Sequence, residues 1–179
     1  AGFINFNLKT DWLVGEMQKA KVEGYGKSTR LAGQKVMVEY TDPNPFKEMH
    51  IGHLMSNTIG ESIARLIEMS GAEVKRACYQ GDVGLHVAKA VWGIIHKSQI
   101  TNSQIPNWIA EWQGKEPQER QQMMGQAYAM GATKYEEDEA AKAEMITLNK
   151  QIYERSDEAI NALYDAGREW SLQYFETIY

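Results

Sequence analysis

Two histidines stand three residues apart in "TDPNPFKEMHIGHL", residues 41–54, with Lys47 shortly before them and Gly52 between them. Imidazoles at that spacing can face one ligand. Donating to phosphate oxygens, they would stabilise the charge that develops at an α-phosphate during nucleotidyl transfer. Lys47 adds a fixed positive charge within reach of the same phosphates. Gly52 has no β-carbon, so a flat base can lie against the backbone there. The pair could instead be half of a metal site. No carboxylate or cysteine stands at a helpful spacing, so none is expected.

Such groups work only if the fold holds them at one edge. "KVMVEYT", residues 35–41, is nearly all apolar or β-favouring, which suits a strand buried on both faces of a parallel sheet. After Pro43 and Pro45, Met55, Ile59, Ile63, Leu66 and Ile67 recur at steps of three and four, the spacing of a helix, with Glu61 and Arg65 as an i,i+4 pair. Gly71 is a suitable stop. "AEVKRACYQ", residues 72–80, is a second strand, and a further helix follows "GDVG" through "LHVAKAVWGIIHK". Strand, helix, strand with this crossover is the nucleus of a doubly wound α/β fold. In such folds the loop leaving a strand and entering a helix lies at the carboxyl end of the sheet, where helix N-termini meet anions.

Outside that unit the character changes. Before it, "FNLKTDWLVGEMQKAKVEGYG" reads as a short helix with Leu8, Trp12 and Met17 on one side, ended by Gly24 and Gly26. Beyond residue 100 the chain reads as helical. Thr133 and Glu136 have capping-box spacing ahead of a helix carrying Met145, Leu148 and Ile152. A last apolar stripe runs Ile160, Leu163, Tyr164, Gly167, Trp170, Tyr174, Phe175 and Ile178. Two strands are too few to cover a parallel sheet, so the expectation is a truncated Rossmann-like sheet followed by a helical insertion.

Composition narrows the classes. The chain has 179 residues with 43% apolar and 24% charged, ordinary values for a globular protein. A net charge of −5 argues against a dedicated nucleic-acid wrapper, DNA included, which needs a cationic excess. Cys78 is the only cysteine, so no internal disulfide can form and a reducing cytoplasm is the expected setting. The start, "AGFINFNLKT", lacks the pattern of a signal peptide, and no apolar run approaches bilayer length.

The segment "VEYTDPNPFKEMHIGHLMSNTIGESIARLIEMSGAEVKRACYQGDVGLHVAKAVWG" resembles the first half of the catalytic domain of arginyl-tRNA synthetases, a class I aminoacyl-tRNA synthetase family. The "HIGH" signature is intact as His50-Ile51-Gly52-His53, and the flanking "PN..KEMHIGHL" and "IGESIARLIE..G" are more specific than the tetrapeptide. The resemblance reaches "GFINFNL", similar to the tail of an N-terminal tRNA-binding domain, and "SLQYFETIY", similar to the lead into a further strand. It implies three regions: residues 1–30 as a helical linker, 31–100 as the first half of the Rossmann-like domain, and 101–179 as the helical insertion.

The resemblance also implies an activity: activation of arginine with ATP and Mg²⁺, and transfer to tRNA(Arg), with the tRNA usually needed for activation. Position by position, it implies that Asp42, Pro43 and Asn44 contact arginine. His53 would lie between arginine and ATP, and His50, Gly52 and Lys47 would serve ATP. Gly81 and Asp82 would end the second strand beside the same crevice, or serve as a turn glycine and a helix cap. Asp42 stands where the family often has a small residue, Met55 where arginine is common, and "GDVGLHV" where "GDWGTQF" is frequent. A lysine-rich "KMSKS"-type loop, the second half of the sheet and an anticodon domain are not found in these residues. The chain therefore reads as an excised piece with negligible aminoacylation of its own. The alternative is a stand-alone His-x-Gly-His nucleotide-binding protein or small nucleotidyltransferase.

Other conspicuous residues read as structural. "EEDE", residues 136–139, suits a solvated first helical turn. Trp92, Trp108, Trp112 and Trp170 suit packing, His86 a satisfied structural role, and His96 the end of a helix.

Overall fold

A computed structural model describes residues 2–179. In chain order the elements are α1 (Thr10–Lys19), β1 (Lys35–Glu39), α2 (Ile51–Met69), β2 (Glu73–Ala77), α3 (Leu85–Ser98), α4 (Ile105–Gln113), α5 (Pro117–Glu137), α6 (Glu139–Glu154) and α7 (Glu158–Glu176). They divide into two compact units, residues 1–40 with 57–77, and residues 41–56 with 78–179.

In the first unit β1 and β2 pair in parallel, Lys35 opposite Glu73 through Glu39 opposite Ala77. The expected strand–helix–strand unit is present. The expected burial of β1 on both faces is not: Val36 and Val38 are half-buried and Met37 is 70% exposed. Two strands offer too little area to enclose either face, so side chains of alternate direction meet solvent. Ile59, Ile63 and Leu66 of α2 are exposed as well, as are Leu8, Trp12 and Met17 around α1. Polar contacts hold this unit together. Glu61 accepts from Arg65 Nε at 2.7 Å, as the i,i+4 spacing requires, and also from Arg76 Nε at 2.7 Å and Tyr40 Oη at 2.6 Å. Those donors, Arg76 first, hold its carboxyl well below the usual range. Gly60 is obligatory here, since a β-carbon would lie 2.2 Å from the Tyr40 ring.

The second unit is helical and closely packed. Val87, Val91 and Ile94 of α3, Met124 and Ala127 of α5, and Leu163 and Trp170 of α7 form its core. Small residues bring α3 and α5 together: a β-carbon on Gly93 would lie 2.0 Å from the Ala127 carbonyl oxygen, and one on Gly131 2.0 Å from that of Lys89. The stripe on α7 is buried as expected at Ile160, Leu163, Tyr164, Trp170 and Phe175, while Ile178 beyond the helix is exposed. Trp92, Trp108 and Trp170 are packing residues.

The capping-box expectation at Thr133 fails. Thr133 lies inside α5 and its hydroxyl donates to the Ala129 carbonyl at 3.1 Å. Asp138 caps α6 instead, accepting from the amides of Ala140 at 2.9 Å and Ala141 at 3.2 Å. Residues 136–139 thus end one helix and start the next. Threonine can return its hydroxyl to the preceding turn, so its presence alone does not fix a helix start. No helix among the described residues is long and apolar enough to cross a membrane.

Candidate nucleotide site

The residues singled out by sequence, Asp42, Pro43, Asn44, Lys47, His50, Gly52 and His53, all lie in residues 41–56 of the second unit. The backbone there is unusual: Thr41, Asp42 and Phe46 have φ of 77°, 48° and 66°. Left-handed conformations are disfavoured for residues with a β-carbon, most of all for β-branched Thr41, and persist only where neighbours over-determine them. The neighbours are specific. Asp42 Oδ1 accepts the Tyr79 amide at 2.8 Å. Phe46 is fully buried, its amide donating to Ser171 Oγ at 2.9 Å. Its ring fills the space over Gly167, where a β-carbon would lie 2.2 Å from it. Gln121 Nε2 donates to the Lys47 carbonyl at 2.5 Å, and Lys47 Nζ sits 4.4 Å above the Tyr128 ring.

His50 and His53 flank the start of α2 with ring centroids 4.0 Å apart. Each ring takes a backbone amide: His53 Nδ1 accepts from His50 N at 3.2 Å, and His50 Nδ1 from Gly52 N at 3.1 Å. A neutral imidazole that accepts at Nδ1 carries its proton on Nε2. In the neutral form each ring therefore holds its N–H donor at Nε2. Burial, then the neighbouring His50 and Lys47, push the His53 pKa below the ordinary histidine value, which favours the neutral tautomer. Gly52 is required for a reason sequence did not give. A β-carbon would lie 2.9 Å from His50 Cε1, so it is the His50 ring that occupies the space over this glycine.

A second loop adjoins Asn44. A β-carbon on Gly81 would lie 2.6 Å from Asn44 Oδ1, so the two segments touch only because Gly81 has none. His86 Nε2 bonds the Gly81 carbonyl at 2.6 Å; since a carbonyl only accepts, the ring donates. Burial lowers the His86 pKa, and Lys47 adds to it. Asp82 Oδ2 accepts from Arg168 Nε of α7 at 2.7 Å and does not cap α3, which begins after Gly84. Beside it opens a cleft of about 630 Å³ lined by Tyr79, Asp82, Arg155, Tyr164 and Arg168 among others. Sequence reasoning missed Phe46, Gln121, Tyr128, Arg168 and Ser171. Only the helical stripe that includes Tyr164 and Gly167 hinted that α7 faces something specific. Among the described residues no three His, Cys, Asp or Glu side chains gather as a metal site.

The order β1–α2–β2 with parallel pairing is consistent with the core of a class I tRNA synthetase catalytic domain. The family described as tRNA synthetases class I (R), catalytic domain, matches residues 16–166, and the chain belongs to that family. It is 45% identical over 84 residues to the arginine--tRNA ligase of Synechococcus sp., covering 46% of this chain and 14% of that protein. It is 27% identical over 190 aligned positions to the arginine--tRNA ligase of Amoebophilus asiaticus, covering 99% of this chain and 31% of that protein. The solved Thermus thermophilus arginyl-tRNA synthetase is similar in fold, with a TM-score of 0.54 and 26% identity over 90% of this chain and 25% of that one. The chain thus spans less than a third of the length of these relatives.

Proposed function

We propose that these residues form the ATP-binding first half of the catalytic domain of an arginine--tRNA ligase, which activates arginine with ATP and transfers it to tRNA(Arg). The observation that carries this reading is the pair of locked imidazoles, each with Nδ1 tied to a backbone amide and Nε2–H left to donate. In the reaction, His50 and His53 donate to ATP phosphate oxygens while the arginine carboxylate attacks the α-phosphate and pyrophosphate leaves. Donors fixed beforehand act on the charge that grows in the transition state without reorganising. Lys47 supplies a positive charge to the same phosphates, and Mg²⁺ carried by the nucleotide would add neutralisation. Asp42, Pro43 and Asn44 form the arginine side, with His53 between the two substrates.

By themselves these residues catalyse negligible arginyl-tRNA formation. The chain's share of its relatives' length supports this, and robust aminoacylation by the purified chain would overturn it. ATP binding by calorimetry tests the site directly. Hydrogen bonds to charged groups contribute roughly 1.5–3 kcal/mol, so His53→Ala should weaken ATP about ten- to a hundredfold. Equal affinity in the variant would exclude His53 from the site.

A further inference from the structure

Residues 46–48 belong to a loop, yet helices hold them at helical spacing. On α5, Gln121, Gly125 and Tyr128 stand at i, i+4 and i+7, one face of the helix. Gln121 is 1% exposed and bonds the Lys47 carbonyl. A β-carbon on Gly125 would lie 2.8 Å from Glu48 Cγ, so the glycine admits the Glu48 side chain to the helix surface. Tyr128 packs against the core and carries the Lys47 ammonium over its ring. One face of α5 therefore meets, in order, the backbone of Lys47, the side chain next to it, and the end of Lys47 itself.

We propose that the Gln121–Gly125–Tyr128 face of α5 is a positioning surface for the nucleotide site, fixing where the Lys47 ammonium points before any phosphate arrives. This rests on the reading of Lys47 and the histidines given above. A lysine stem has four rotatable carbons and a compact charge that ordinarily wanders. An aromatic face below its end and a bonded carbonyl at its root remove most of that freedom. Binding a phosphate then requires less ordering. None of the three helix residues touches the ligand in this account, so each acts through Lys47.

The charge on Lys47 is readable without any ligand, because it reaches both His53 and His86. His53 is faced by His50 and Lys47, and His86 by Lys47, Asp82 and the Gly81 carbonyl. The test is an NMR pH titration of the two imidazoles in the whole chain. Lys47→Met should raise both pKa values and so calibrates the effect. Tyr128→Leu should raise both in the same direction, and should add nothing in the Lys47→Met background. Tyr128→Phe keeps the ring and should titrate like the parent chain. Gln121→Met, which keeps the volume and removes the donor to Lys47, should raise both as well, and serves if the Tyr128→Leu chain does not fold. Histidines that titrate unchanged in folded Tyr128→Leu or Gln121→Met chains overturn the proposal, as does a Tyr128→Phe shift equal to that of Tyr128→Leu. The titrations contain no nucleotide. Failure of the parent chain to bind ATP would therefore sink the proposed function, and with it the nucleotide role of this surface, while the titrations separately decide whether α5 fixes Lys47.

Discussion

The two units of the chain keep their structure by different means. The parallel unit leaves Met37, Ile59, Ile63 and Leu66 exposed and is tied together by Glu61, Arg65, Arg76 and Tyr40. The helical unit buries three tryptophans and lets α3 and α5 touch through glycine. The site loop belongs to the second kind. Its left-handed residues, Thr41, Asp42 and Phe46, sit in the well-packed unit. Strain in a backbone persists where packing opposes its release, and buried apolar contacts do this better than exposed ion pairs, which contribute about 0–1 kcal/mol each. The course of the loop at Phe46 and Lys47 thus depends on helices distant in sequence, while the imidazoles themselves are held by amides at the start of α2.

Truncating the anchor breaks that contrast most sharply. Phe46→Ala removes a fully buried ring and should cost about 3–5 kcal/mol in urea unfolding followed by tryptophan fluorescence. The same truncation at exposed Met37 should change stability by less than about 0.5 kcal/mol. Comparable losses at the two positions would erase the distinction.

A smaller effect comes from pH. The His53 and His86 pKa values lie below the ordinary histidine value, so the unfolded chain binds protons that the folded chain refuses. The corresponding stability is fully present above the unfolded value of about 6.5 and is lost as pH falls from there toward the folded values. The urea midpoint should therefore drop between about pH 7.5 and pH 5.5. A His53→Gln, His86→Gln double variant should lose less over the same interval. Identical losses would mean that neither imidazole is disfavoured as a cation.

The sequence marked the candidate residues and left their supports obscure. His50 and His53 stand out by their setting, between a β-favouring run and residues at helical spacing, and the structure brings their rings together. Burial was less legible. "KVMVEYT" is apolar enough for an enclosed strand, yet whether a strand is enclosed depends on what lies on either face, and β1 is not. Asp138 rather than Thr133 caps α6, because either side chain can satisfy a local backbone group and only the fold decides. The reason for Gly52 proved to be the His50 ring, a contact between near neighbours that residue types do not encode. Gln121, Tyr128 and Ser171 carry no local signal. Their roles arise from meeting Phe46 and Lys47 across more than seventy residues of chain.

The most direct test is of the locked donors, by long-range ¹H–¹⁵N NMR of the histidine rings at neutral pH, before and after adding ATP. His50 and His53 should both carry the proton on Nε2, and ATP should shift both Nε2 resonances while His96 stays in place. Protons on Nδ1 of His50 and His53, or an ATP titration that moves neither ring, would contradict it.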